Sequence, residues 1–269
     1  MRIAKALARA GLCSRRDAER WIEQGRVNVD GKVLASPALD VSPSDRIVVD
    51  GNPLPAPEPP RLWRYHKPKG LVTTHADPQG RPTVFDALPE HLPRVVSIGR
   101  LDFNSEGLLL LTNDGALARH LELPATGWTR RYRVRAHGSI TQAVLDKLKQ
   151  GVEVDGVRYG PIEATLDAKA EDTGARANVW LTVGLREGKN REVRKILESL
   201  GLTVNRLIRM SFGPFQLLDI KPGEVEHVKR SVLREQIGRQ AAADLGLADD
   251  DETARPPRQP APRKPKGWA

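Results

Sequence analysis

Near the start of the chain, apolar residues recur every three or four positions. Ile3, Ala6, Leu7 and Ala10 predict a first helix that Gly11 can end. Ser14 then offers an N-cap, with Asp17 three residues on to form a capping box, and Ala18, Trp21 and Ile22 give the buried stripe of a second helix. From Arg26 to Val29 the period changes to two, and Asp30-Gly31 predicts a hairpin turn into Lys32-Val33-Leu34. A further strand is expected over 45–51. Five prolines within 52–60 predict an extended linker, because proline fixes φ and lacks an amide donor.

The longer middle region reads as alternating strands and short helices. Trp63 to His66 predicts a strand, Lys67-Pro68-Lys69-Gly70 a tight turn, and Leu71 to Thr74 a returning strand. Leu108 to Leu111, bounded by turn residues, suits a strand buried on both faces. Asn113-Asp114-Gly115 then turns the chain into a helix over 116–121. Thr129 to Ala136 alternates, with Tyr132, Val134 and Ala136 on one face and Arg131, Arg133 and Arg135 on the other. Ala177 to Val183 predicts the next strand. Asn190 can cap a helix carrying Val193, Ile196, Leu197 and Leu200, with Gly201 as its stop. The expected organisation is 1–51, a linker at 52–60, a main region at 61–235 and a tail at 236–269, disordered from about 248.

Composition adds a partner class. The 269 residues hold 43 Lys and Arg against 34 Asp and Glu, a net charge of +9. By region the excess is +1 over 1–60, +7 over 61–235 and +1 over 236–269. A basic balance of this kind makes nucleic acid the default partner. Cys13 is the only cysteine, which excludes intramolecular disulfides and cysteine-built zinc sites and fits a reducing, cytoplasmic setting. The longest wholly apolar run is Leu108 to Leu111, far short of a membrane span. No apolar segment follows Met1, so secretion is not expected.

Candidate chemistry centres on Asp102, which lies on a polar, glycine-flanked loop before the leucine strand. A rigid element beneath such a loop can hold a catalytic carboxylate in place. Two motif matches fail on spacing. Asp102, Asn104 and Glu106-Gly107 imitate a calcium loop whose twelfth position is Asn113 instead of Glu. Gly184 to Lys189 imitates a phosphate loop with three residues between its glycines instead of four. Tyr132 reads either as a stacking platform for a base or as a core side chain. Arg191 and Arg194 begin a helix where the dipole disfavours cations, which hints at an acidic partner.

Gly-Leu-Cys-Ser-Arg-Arg-Asp-Ala at 11–18 and Gly-Arg-Val-Asn-Val-Asp-Gly-Lys at 25–32 resemble the RNA-binding module of ribosomal protein S-four type, the alpha-L motif. That resemblance implies binding to structured RNA through Arg2, Lys5, Arg9, Ser14, Arg15, Arg16 and Arg26. Lys67-Pro-Lys-Gly70, Gly99-Arg-Leu-Asp102, Gly107 to Gly115 and Arg131-Tyr-Arg-Val134 resemble the pseudouridine synthases of the group named for the small-subunit ribosomal enzyme. Glu187 to Lys195 with Arg206-Leu-Ile-Arg209 resembles, within that group, the B-type branch that acts on large-subunit RNA.

The resemblance implies an α+β fold: a small alpha-L domain followed by a mixed, mainly antiparallel catalytic sheet with flanking helices. It implies a bacterial enzyme that isomerises a uridine in ribosomal RNA, most simply the large-subunit RNA as a hairpin or assembly intermediate. It also implies action as a monomer with no metal and no cofactor. A small-subunit target and a non-catalytic RNA-binding assembly factor are the alternatives. Asp102 would act as nucleophile at the anomeric carbon or as base at the 2′ carbon. Tyr132 would stack on the flipped uracil, Arg194 would pair with Asp102, and Lys67, Lys69, Arg100 and Arg191 would hold RNA backbone.

Overall fold

A computed structural model describes residues 1–167 and 177–247; the disorder expected from about residue 248 lies outside them. Helices α1 (Ile3–Arg9) and α2 (Arg15–Glu23) pack on a four-stranded sheet of order β2-β1-β3-β4. Its strands are β1 (Val27–Val29), β2 (Lys32–Val33), β3 (Ile47–Val49) and β4 (Asn52–Pro53). Ile3, Leu7, Ala18, Ile22, Val27 and Val49 form the core of this unit. Ser14 caps α2 as the sequence predicts: its Oγ accepts from the Asp17 amide at 3.0 Å, and the Asp17 carboxylate accepts from the Ser14 amide at 3.2 Å. The expected linker begins two residues late, because Asn52 and Pro53 pair with Val49 and Val48. Pro53 is tolerated there on an edge strand, which needs no donor on its outer side.

Among the described residues the main sheet has nine strands. In chain order they are β5 (Leu62–Lys67), β6 (Val96–Ile98), β7 (Glu106–Thr112), β8 (Arg130–Gly138), β11 (Ile162–Leu166), β12 (Ala177–Leu185), β13 (Thr203–Phe212), β14 (Phe215–Gln216) and β15 (Val225–Val228). A separate hairpin, β9 (Val152–Val154) with β10 (Val157–Tyr159), precedes β11. The path runs β11-β12-β8-β13-β7-β5-β15, with β14 on β13 and β6 on β7. Every pairing is antiparallel except that of β13 with β7. The α+β class and mainly antiparallel sheet agree with expectation.

Helices α3 (Gly115–Glu122), α4 (Gln142–Asp146), α5 (Glu192–Ser199), α6 (Arg230–Ile237) and α7 (Arg239–Asp244) cover the sheet. Leu108 and Leu110 face one apolar cluster with α3, and Leu109 and Leu111 face another with Trp63 and Tyr65. All seven residues of β7 are therefore buried. On the other half of the sheet, Val134, Ala136, Leu181 and Val183 pack against Val193, Ile196 and Leu197 of α5.

Two local expectations change, and a segment with no predicted structure is ordered. Residues 71–74 form no strand; only Val72 makes an isolated bridge, to Thr83. Asn190 does not cap α5. Arg191 takes the cap position in the left-handed region, φ 51 and ψ 28, without a side-chain cap bond. The part of the tail over 236–247 folds back, burying Ala242, Leu245 and Leu247 in the cluster around α3. Apolar spacing there supplies enough burial to order the segment.

The parallel contact between β13 and β7 is only two residue pairs long, Ile208 with Glu106 and Arg209 with Gly107. Gly107 has φ +101, and a Cβ there would stand 2.3 Å from the Arg209 carbonyl oxygen and 2.6 Å from its amide nitrogen. Only glycine permits this approach. Gly107→Ala is therefore expected to cost roughly 3 kcal/mol or more. Urea unfolding followed by circular dichroism measures it; a change below about 1 kcal/mol would show that the junction tolerates a side chain.

Candidate active site

A cleft of about 990 Å³ opens beside this junction. The loop 97–105 lines one side, Arg130 and Tyr132 of β8 and Arg209 of β13 the floor, and residues 185–193 the opposite wall. Asp102, Tyr132, Arg100 and Arg191 all line it, whereas Arg194, Lys67 and Lys69 do not.

The loop that carries Asp102 is held by its carbonyls. The Leu101 oxygen accepts from Thr73 Oγ1 at 2.8 Å, Asp102 from Lys67 Nζ at 3.1 Å and Phe103 from the Gly70 amide at 2.9 Å. Asn104 accepts from Arg194 Nη2 at 3.0 Å and Ser105 from Lys67 Nζ at 3.0 Å. Five consecutive carbonyls are thus tied down by donors from the 67–73 turn and from α5.

Four carboxyl side chains line the cleft, and three are occupied. Glu122 accepts from the Gly99 amide at 2.6 Å. Glu187 accepts from the Gly160 amide at 2.6 Å, and Glu192 from the Lys189 amide at 2.8 Å. Asp102 is half-buried, and its carboxylate makes no hydrogen bond or ion pair among the described residues. Tyr132, opposite Arg209 in register, is half-buried against two apolar clusters while its ring lines the cleft. Tyr132 thus keeps apolar contacts while lining the cleft.

Two expected contacts differ. Arg194 does not pair with Asp102; its guanidinium donates to the Val204 carbonyl at 3.0 Å and to Asn104. Burial and nearby Arg191 weaken its hold on the proton, while the charge of Asp102 works the other way. Arg194 thus acts on the backbone that positions Asp102. Lys67 is fully buried with Nζ on three carbonyls, of Pro68, Asp102 and Ser105, so it cannot meet phosphate. Burial lowers its pKa to about 8, against the pull of Asp102 and Glu106.

Several other cations named from sequence are occupied within the chain. Lys69 lies 3.4 Å from Glu106, which Arg206 also holds through two hydrogen bonds of 2.9 and 3.0 Å. Arg2 pairs with Asp40, and Arg26 with Asp50 while covering the Trp21 ring. Arg9 reaches 3.4 Å to Asp114, the buried N-cap of α3. Lys5, Arg15, Arg16, Arg100 and Arg191 are exposed and unpaired among the described residues.

Arg209 and Arg130 were not singled out from sequence. Arg209 is buried, donates from Nε to the Leu108 carbonyl at 2.7 Å and leaves Nη2 without a partner. Arg130 stacks on Phe212 at 4.6 Å. Burial and Arg209 together lower its pKa. The available signal was an arginine on the face of β13 that alternation assigns to the core.

Comparison with known proteins agrees with this geometry. The family model described as RNA pseudouridylate synthase matches residues 61–199, and the S4 domain model matches 1–47. An uncharacterized RNA pseudouridine synthase of Rickettsia felis is 48% identical over 232 residues, 86% of this chain and 98% of that protein. Proteins named ribosomal large subunit pseudouridine synthase B are 40% identical in Pseudomonas aeruginosa and 43% in Yersinia pestis. These alignments cover 91% and 80% of this chain, and 65% and 68% of the relatives. A crystal structure of a pseudouridylate synthase superimposes with a TM-score of 0.59 at 24% identity, covering 88% of this chain and all of that one. The fold is that of an RNA-modifying isomerase with an appended RNA-binding module. The chain belongs to the RNA pseudouridine synthase family.

Replacing Lys67 by Met keeps its bulk but removes the donors to Asp102 and Ser105. Turnover is expected to fall roughly 100-fold with little change in RNA affinity. Equal losses in kcat and affinity would refute a role confined to loop placement. The stability effect has a definite sign. Between about pH 8 and 10.5 the unfolded chain holds a proton on Lys67 that the fold has released, so stability rises with pH across that window. Lys67→Met should lack this rise in chemical denaturation.

Proposed function

We propose that this chain converts one uridine of large-subunit ribosomal RNA to pseudouridine, acting as a monomer in the bacterial cytoplasm. The observation that carries this reading is the Asp102 carboxylate. Among the described residues it is the one carboxylate lining the cleft that has neither oxygen in a hydrogen bond or ion pair, on a loop fixed at five successive carbonyls. The large-subunit target follows the names of the Pseudomonas and Yersinia relatives.

In the reaction the bond from uracil N1 to the anomeric carbon breaks, the base turns, and carbon 5 bonds to the same ribose carbon. The proton on carbon 5 leaves and N1 gains one, so the product is an isomer and no group donor is consumed. Asp102 starts the cleavage, as nucleophile at the anomeric carbon or as base at the 2′ carbon. Tyr132 stacks on the extruded uracil, at an unstacking cost of a few kcal/mol for the RNA. The guanidinium of Arg209, a residue that lines the same cleft, supports the negative charge that develops. Of the cations named from sequence, Arg100 and Arg191 at the cleft, and Lys5, Arg15 and Arg16 on the first module, are left free among the described residues for RNA phosphates.

Deleting the gene should remove one pseudouridine from a map of the ribosomal RNAs. Wild type should restore it and Asp102→Asn should not. A complete map after deletion would leave an RNA-binding assembly factor as the better reading, and loss of a small-subunit site would move the target. In RNA binding, Arg15→Glu with Arg16→Glu should raise Kd about tenfold and flatten the salt dependence by about two counterions. Unchanged binding would remove this helix start from the interface.

A further inference from the structure

The wall of the cleft opposite Asp102 contains two acids in an unusual relation. Glu192, at the first turn of α5, is 3% exposed. Its Oε2 accepts from the Lys189 amide, and its Oε1 is buried with no donor facing it. Glu187, in the same wall, is the acid that acts on Glu192, and Lys189 links them: its amide donates to Glu192 and its Nζ pairs with Glu187. Two carboxylates only accept, so they can bond to each other only when one carries a proton.

The surrounding charges indicate which one. Lys189 Nζ pairs with Glu187 at 2.7 Å, donates to the Arg158 carbonyl at 2.6 Å and stands over the Tyr159 ring. Glu187 also receives the Gly160 amide. Its negative charge is therefore supported twice, while Glu192 receives one backbone amide. From β8, Arg130 is the other charge that acts on Glu192, and its guanidinium is directed to the Trp128 and Arg186 carbonyls.

We propose that Glu192 is held in its acid form and donates a hydrogen bond to Glu187, and that this single shared proton locks the 186–191 wall of the uridine cleft. Through Glu187 the lock reaches Gly160, ahead of β11. Through the Lys189 amide it fixes the loop that places Arg191 in the left-handed region at the cleft. Glu192 is thus a positioning residue. When the proton leaves, a second carboxylate appears in the wall that faces RNA, the bond to Glu187 becomes a repulsion, and Arg191 loses its fixed placement. Burial foremost, with Glu187 adding to it, raises the Glu192 pKa to about 7, so the lock opens within the physiological range.

This inference rests on the cleft being the uridine site, and the test separates the two. Glutamine supplies at this position a permanent N–H donor for Glu187 and a carbonyl for the Lys189 amide. With unmodified 23S ribosomal RNA transcripts as substrate, wild-type KM should rise about fivefold from pH 6 to pH 8 while kcat changes less. Glu192→Ala should show the raised KM at every pH. Glu192→Gln should restore the low KM and keep it flat over that range. The titration of Lys67 near pH 8 is common to all three proteins and cancels in their ratios.

Carbon-13 NMR of glutamate-labelled full-length protein gives a reading independent of turnover. One carboxyl should titrate near pH 7 in wild type and be absent in Glu192→Gln. The proposal is overturned if no glutamate titrates above the ordinary range, or if Glu192→Gln behaves like Glu192→Ala. A carboxyl titrating near pH 7 in a protein that forms no pseudouridine would sustain the shared proton and overturn the functional reading alone.

Discussion

The catalytic chemistry proposed for this protein depends on backbone carbonyls more than on any side-chain pair. Leu101 to Ser105 present five successive acceptors, and each is bonded to a donor from elsewhere in the chain. A loop held by its backbone can leave its one carboxylate free. Had the donors bonded the Asp102 carboxylate instead, they would have positioned it by occupying it. Here Lys67 and Arg194 bring positive charge near the acid and spend their hydrogen bonds on its neighbours.

The arrangement requires buried cations, whose cost is met locally. Lys67 has three carbonyl acceptors, Arg194 two, and Arg209 one, with its Nη2 buried and unpartnered. The short parallel contact at Gly107 makes this possible. It joins two antiparallel half-sheets over only two residue pairs, and the cleft opens beside the join. The facing wall is closed by acids, with Glu187 tied to Lys189 and Gly160 and Glu192 buried beside it.

Much of the fold was legible from local pattern. Ser14 with Asp17 announced a capping box, four leucines announced a strand buried on both faces, and the alternation around Tyr132 announced the cleft strand. The misses have physical causes. Residues 71–74 have strand-like composition, but the Thr73 hydroxyl serves the Asp102 loop, that of Thr74 bonds to Ala76, and only Val72 pairs across, with 82–84. Asn190 has the right chemistry to cap α5, yet the backbone turns left-handed at Arg191 and Glu192 takes the Lys189 amide. No structure was predicted for 236–247, where Ala242, Leu245 and Leu247 are buried in the apolar cluster around α3.

Periodicity, capping pairs and the proline-rich linker, all short-range properties, were enough to place the helices and strands, the two-part organisation and the polar loop of Asp102, while the resemblance of the motifs supplied the α+β class and the role of that acid. Which cations remain free was not among those properties. Of the arginines and lysines named for RNA, Lys67 is buried, and Arg2, Arg9, Arg26 and Lys69 find acids that in several cases lie far along the chain. Arg194 turns from the carboxylate to the backbone beneath it. Such partners meet only when the sheet closes, because desolvation and pairing act between residues as much as a hundred positions apart, as Arg206 and Glu106 do.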